Sequence, residues 1–156
     1  SAAAAAGSTF VGWDGICAGF GTGPCTFTIG GATNGTARFL LTQPVVTLKV
    51  NGQHPNPPTV PTSGPMLLTV DVSESAYTGP LSWYWALIVN GQTLWVTPNG
   101  LSLTRAPLGV APPTAVAGVT LLDVTLPPHT TVTSLLLMVE GTNTLLGGDL
   151  IVTTRP

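Results

Sequence analysis

The chain has 156 residues, 44% of them hydrophobic, enough to fill the core of one ordinary domain or of one domain with a smaller companion. Only 6% are charged, against roughly 25% in an average soluble domain, and the formal net charge is -2. The basic residues Arg38, Lys49, Arg105 and Arg155 are too few and too scattered to hold a nucleic-acid backbone, and the apolar stretches Leu81 to Val89 and Ser134 to Val139 fall far short of the ~20 residues of a membrane-spanning helix.

The alanine run from Ser1 to Gly7 has no basic region and no long apolar region, so it does not read as a signal peptide, and it is too short to nucleate a helix alone. Strands are expected at Thr9 to Trp13, Cys25 to Ile29 and Thr36 to Leu41, within a first unit spanning 1–43. Cys17 and Cys25 flank a glycine-rich run and are the only cysteines. A local disulfide is the favoured reading. A zinc site would need two more soft ligands, whereas His54 and His129 are distant, and a redox pair is normally spaced more closely. Asn34-Gly35-Thr36 fits an N-glycosylation acceptor and equally a plain hairpin turn, the preferred reading.

From 44 to 156, Val, Thr and Leu fill stretches punctuated by glycine and proline, with strands expected at Val45 to Asn51, Met66 to Ser73, Leu81 to Val89, Thr93 to Thr97, Val116 to Leu126, Val132 to Glu140 and Asp149 to Thr154. Seven strands in about 110 residues fit an immunoglobulin-like β-sandwich. Leu68, Val70 and Val72 alternate with Thr69, Asp71 and Ser73, giving one buried and one wet face. Trp83 to Val89 is instead apolar on both faces, so it should sit centrally or meet another surface on its outer side. Asn90-Gly91 reads as a tight hairpin turn. The proline-dense segment from His54 to Pro65 reads as an extended loop.

Gly7-Ser8-Thr9-Phe10-Val11-Gly12-Trp13-Asp14-Gly15, then Cys17, Gly23-Pro24-Cys25-Thr26-Phe27-Thr28 and Thr36-Ala37-Arg38-Phe39, resembles the bacterial surface repeat known as the divergent internalin B-type repeat. The resemblance implies a small non-catalytic β-module on a secreted or surface-exposed bacterial protein. It covers only the back half of such a repeat, about 7–42, with an alanine run where earlier strands would stand. A half-module leaves a sheet edge that invites strand addition. Tyr77-Thr78-Gly79-Pro80-Leu81-Ser82-Trp83-Tyr84 and Val89-Asn90-Gly91-Gln92 resemble a β-sandwich module of large bacterial secreted proteins, with no defined activity to carry over.

No catalytic constellation emerges. His54 and His129 read as turn histidines rather than bases for Asp14, Asp71, Asp123 or Asp149, and the only glutamates, Glu74 and Glu140, fall at strand ends. No Asp-x-Asp-x-Asp run suggests calcium, and Gly19-Phe20-Gly21-Thr22-Gly23 is followed by neither a helix nor a basic residue. No catalytic residue, metal or cofactor is therefore expected. One of Trp83 and Trp85 is expected at the sandwich centre and the other on the opposite face. Tyr84, Trp95, Phe10 and Trp13 join that outward tryptophan as candidate contacts with a subunit or a glycan.

Mean hydropathy of +0.44 and scarce charge leave little protection against self-association. The expected protein is a non-enzymatic, extracellular or cell-surface bacterial subunit, a homo-oligomer or homopolymer joined through β-strand and hydrophobic contacts into a fibre or layer. A glycan- or surface-binding adhesin module cut from a larger protein is the alternative.

Overall fold

The turn residues divide the chain into short extended runs, and in the computed structural model, which describes residues 2–56, 59–140 and 144–156, these runs pair into three antiparallel-dominated sheets. The first is a hairpin of β1 (Ser8–Gly15) and β2 (Gly35–Leu41). A bulge between Phe10 and Gly12 bends β1, and Gly12 sits at φ 143°, a conformation that glycine alone adopts without strain. Its connection, 16–34, carries a 3-10 turn at Ala18–Phe20 and brings Cys17 and Cys25 to disulfide distance, with Cα atoms 5.5 Å apart.

The expected strand from Cys25 to Ile29 does not form. A strand needs a ladder partner, and β1 and β2 pair with each other, leaving this segment as an exposed arm with Ile29 77% accessible. The cysteine pair accordingly closes a turn inside the hairpin connection.

The remaining strands are β3 (Val46–Val50), β4 (Thr59–Pro61), β5 (Pro65–Val72), β6 (Leu81–Val89), β7 (Gln92–Thr97), β8 (Gly100–Ser102), β9 (Gly109–Ala111), β10 (Val116–Thr125), β11 (Thr130–Glu140) and β12 (Thr144–Arg155). They form a small sheet of order β10-β5-β3 and a large one of order β4-β12-β11-β6-β7-β8, with β9 also on β6. With β3, β5 and β10 in one sheet and β6, β7, β11 and β12 in the other, the order is that of an immunoglobulin-like sandwich. Three differences stand against the expected strands. The proline segment contains β4, which runs parallel to β12 and ends at Pro61, where an edge strand tolerates proline; Pro57 and Pro58 lie outside the described residues. Short strands β8 and β9 were not expected, and β12 begins at Thr144 rather than Asp149. Two Asn-Gly turns fix hairpin geometry: Asn90 (φ 48°) and Gly91 (φ 85°) join β6 to β7, and Asn51 (φ 50°) and Gly52 (φ 76°) turn the chain after β3.

The core lies between the inner faces. Leu48 and Val50 of β3 and Met66 and Leu68 of β5 meet Leu81 of β6, Met138 of β11 and Ile151 of β12, all fully buried. Where β3 meets β12, the Asp149 carboxylate accepts the Leu48 backbone N–H at 2.6 Å, binding the two sheets at one corner. No helix among the described residues is long and apolar enough to cross a membrane.

Candidate functional site

The titratable residues come together at only a few places. His54 Nδ1 lies 3.6 Å from Asp149 Oδ2, but the same carboxylate already accepts the backbone N–H groups of Leu48 and Leu150. The pair thus belongs to the corner contact between sheets. His129 sits at φ 57° in the exposed turn between β10 and β11. Glu140 accepts the Tyr77 hydroxyl at 2.9 Å; desolvation, then that bond, raises the Tyr77 pKa above its ordinary value. Among the described residues no group of three His, Cys, Asp or Glu side chains could hold a metal ion.

The hairpin gathers the first set of expected contact residues. Phe10 meets Trp13 edge-on at 5.2 Å and Phe39 at 5.4 Å. The bulge makes this possible, because without it Phe10 and Trp13 would fall on opposite faces. Trp13 donates its indole N–H to the Gly23 carbonyl at 2.8 Å, tying the cysteine-closed turn to the strand. Phe10, Trp13, Pro24, Cys25 and Ala2 line a cleft of about 350 Å³. Arg38 and Asp14 form an exposed ion pair across the strands at 3.5 Å. Asn34 is exposed, but its carbonyl accepts the Ile16 N–H at 3.1 Å, so it extends the β1–β2 ladder rather than forming a turn tip.

The second set lies on β6 and β7, and here the expectation for the tryptophans is corrected. Trp83 and Trp85 stand two residues apart and therefore share a face. Both point inward: Trp85 is 6% exposed in the core, its indole N–H without a partner, and Trp83 packs against the same cluster while donating to the Ala111 carbonyl at 3.2 Å. The outward aromatic of this strand is Tyr84. It meets Trp95 edge-on at 6.2 Å, and the Arg105 guanidinium lies 4.2 Å from its ring centroid.

The outer faces of the two sheets differ in kind. On the small sheet, Thr47, Lys49, Thr69 and Asp71 point outward together with an exposed Leu67, opposite the buried Leu48, Leu68 and Val70. Lys49 pairs with Asp71, whose other carboxylate oxygen accepts the Gly118 N–H at 2.7 Å. The Lys49 bond, followed by the Gly118 bond, holds the Asp71 carboxyl below the usual carboxylate range. On the large sheet the register places Leu135 opposite Ala86 and Leu150, and Leu137 opposite Tyr84. With Ile88, Trp95 and Val152 these form a nearly uncharged face, half-buried by mutual contact, with Leu150 38% exposed. Arg105 is the one charged side chain that packs on it among the described contacts.

Reasoning from sequence picked out Tyr84 and Trp95 but missed Ile88, Leu135, Leu137, Leu150 and Val152. The signal was present in Leu135-Leu136-Leu137-Met138, which is apolar on both faces as the Trp83 strand is.

Comparison with protein-family models, with curated proteins and with solved structures finds no significant match to this chain.

Proposed function

We propose that this protein is an extracellular structural subunit of the bacterial surface that assembles with copies of itself through hydrophobic and β-strand contacts. The observation that carries the reading is the apolar outer face of the large sheet, set against the polar, ion-paired outer face of the small one. A sheet that met water on both sides would carry alternating polar residues on its outer side, as β3 and β5 do with Thr47, Lys49, Thr69 and Asp71. Strands β6 and β11 place Tyr84, Ala86, Ile88, Leu135 and Leu137 there, with the uncharged Ser82, Thr131 and Thr133 toward the strand ends. Contiguous apolar patches of several hundred Å² mark interaction surfaces. The hairpin adds a second contact element, since two strands whose outer edges make, among the described residues, one bridge, Leu41 to Ser75, are marginal alone and gain from pairing with another chain.

Electron microscopy of native material together with mass measurement at rising concentration tests this. Fibres, layers or concentration-dependent oligomers are the expected result, and a monodisperse monomer at millimolar concentration would refute it.

The cleft between Phe10, Trp13 and Pro24 favours a second reading, an adhesin module that stacks a sugar or apolar group on aromatic faces. Glycan-array binding abolished by Phe10→Ala, with the native protein remaining monomeric, would establish that reading in place of the first.

A further inference from the structure

We infer that the outer face of the large sheet pairs with the same face of a second copy about a two-fold axis passing near Leu137. This rests on the assembly reading above and specifies its geometry. The occupant must be uncharged, largely apolar and flat enough to lie on a twisted sheet, because the face presents Tyr84, Ile88, Trp95, Leu135, Leu137 and Leu150 with only hydroxyl residues such as Ser82 and Thr133 among them. Among the described residues it is the one sheet face that meets that description. The small sheet's outer face would bring the Lys49–Asp71 pair under cover, and desolvating two charges opposes that contact. The hairpin is two strands wide and carries the Arg38–Asp14 pair.

Charge placement also favours the two-fold. Arg105 stacks on Tyr84 and Trp95, on the β6–β7 side of the face. Rotation about an axis between β11 and β6 sets this side over the partner's β12 side, so the two arginines stand apart by about three strand spacings of ~4.8 Å.

The size of the face sets the strength. Four strands at ~4.8 Å spacing and about six residues at ~3.4 Å give a flat footprint on the order of 400 Å² per copy. Side-chain relief brings the total burial toward ~1,000 Å², at the low end of specific interfaces, where complexes are weak and concentration-dependent. Layered packing of this kind sets strand directions within about 30° of each other.

Single-cysteine cross-linking tests the geometry, since the two native cysteines are bonded to each other and leave the introduced thiol alone. Leu137→Cys, treated with a short bis-maleimide at concentrations where the native protein self-associates, should give a dimer linked through position 137 in most of the protein, the linker spanning the ~10 Å between stacked sheets. Leu135→Cys serves the same purpose if Leu137→Cys fails to fold, and Thr69→Cys on the small sheet should associate but remain unlinked under the same treatment. Self-association without a link at either 135 or 137 would overturn the two-fold contact while leaving the assembly reading standing. A native protein that is monomeric at every concentration, with no cross-link, would overturn both.

Discussion

Replacing Cys17 and Cys25 together with alanine should melt the N-terminal hairpin and leave the sandwich folded. The two cysteines are separated by 8 positions, and on the chain-entropy model a loop of about nine residues contributes about 2.6 kcal/mol. The hairpin has little else in reserve. Apart from one bridge from Leu41 to Ser75 its two strands pair with each other, its aromatic contacts are Phe10 with Trp13 and Phe39, and the Trp13–Gly23 hydrogen bond holds the turn that the cysteines close. Each aromatic pair contributes about 0.5–1.5 kcal/mol and the hydrogen bond about 1 kcal/mol, so the loss is comparable to all three together. A free-energy change of about 2.6 kcal/mol raises the open population on the order of 70-fold. Amide hydrogen exchange read by mass spectrometry should show protection falling by that order across Ser8–Gly15 and Gly35–Leu41, with β6 and β11 unchanged. Protection lost equally in β6 and β11, or kept in the hairpin, would refute the reasoning.

Other perturbations follow from the same geometry. Leu68→Ala, at a fully buried position between the sheets, should lower stability by about 3 kcal/mol, seen as a lower denaturant midpoint with an unchanged slope. Asp149→Ala leaves the buried Leu48 N–H without its acceptor and should cost about 1–3 kcal/mol, with Asp149→Asn recovering part of the loss in chemical denaturation. The Asp71 carboxyl titrates below its unfolded value, so its contribution is present above about pH 4 and is lost as pH falls through the lowered folded value. Solvent screening keeps that contribution small, and thermal melts from pH 7 to 2 should show a shallower decline for Asp71→Asn than for the native protein; superimposable declines would dismiss the pair.

Much of the architecture was legible because turn chemistry and alternation act locally. Asn90-Gly91 dictates its turn wherever the strands lie, and the Leu68, Val70, Val72 alternation names the inner face of β5 without knowledge of its partner. The errors in strand placement share one cause, which is that pairing is not local. Cys25 to Ile29 has strand-forming residues but no free ladder, while Thr59–Pro61 finds one beside β12 despite its prolines. For the tryptophans, the spacing itself carried the answer, since positions two apart on a strand cannot face opposite ways. The extent of the outer face needed the register of β11 between β6 and β12, which sequence alone does not supply.

Sedimentation velocity of three proteins over a range of concentrations bears most directly on the assembly account: the native chain, Leu137→Glu on the outer face of the large sheet, and Thr69→Glu on the outer face of the small one. The native protein and Thr69→Glu should both shift to larger species as concentration rises, while Leu137→Glu stays monomeric with an unchanged circular dichroism spectrum. Equal self-association of Leu137→Glu and the native chain, or a native chain that never associates, would contradict it.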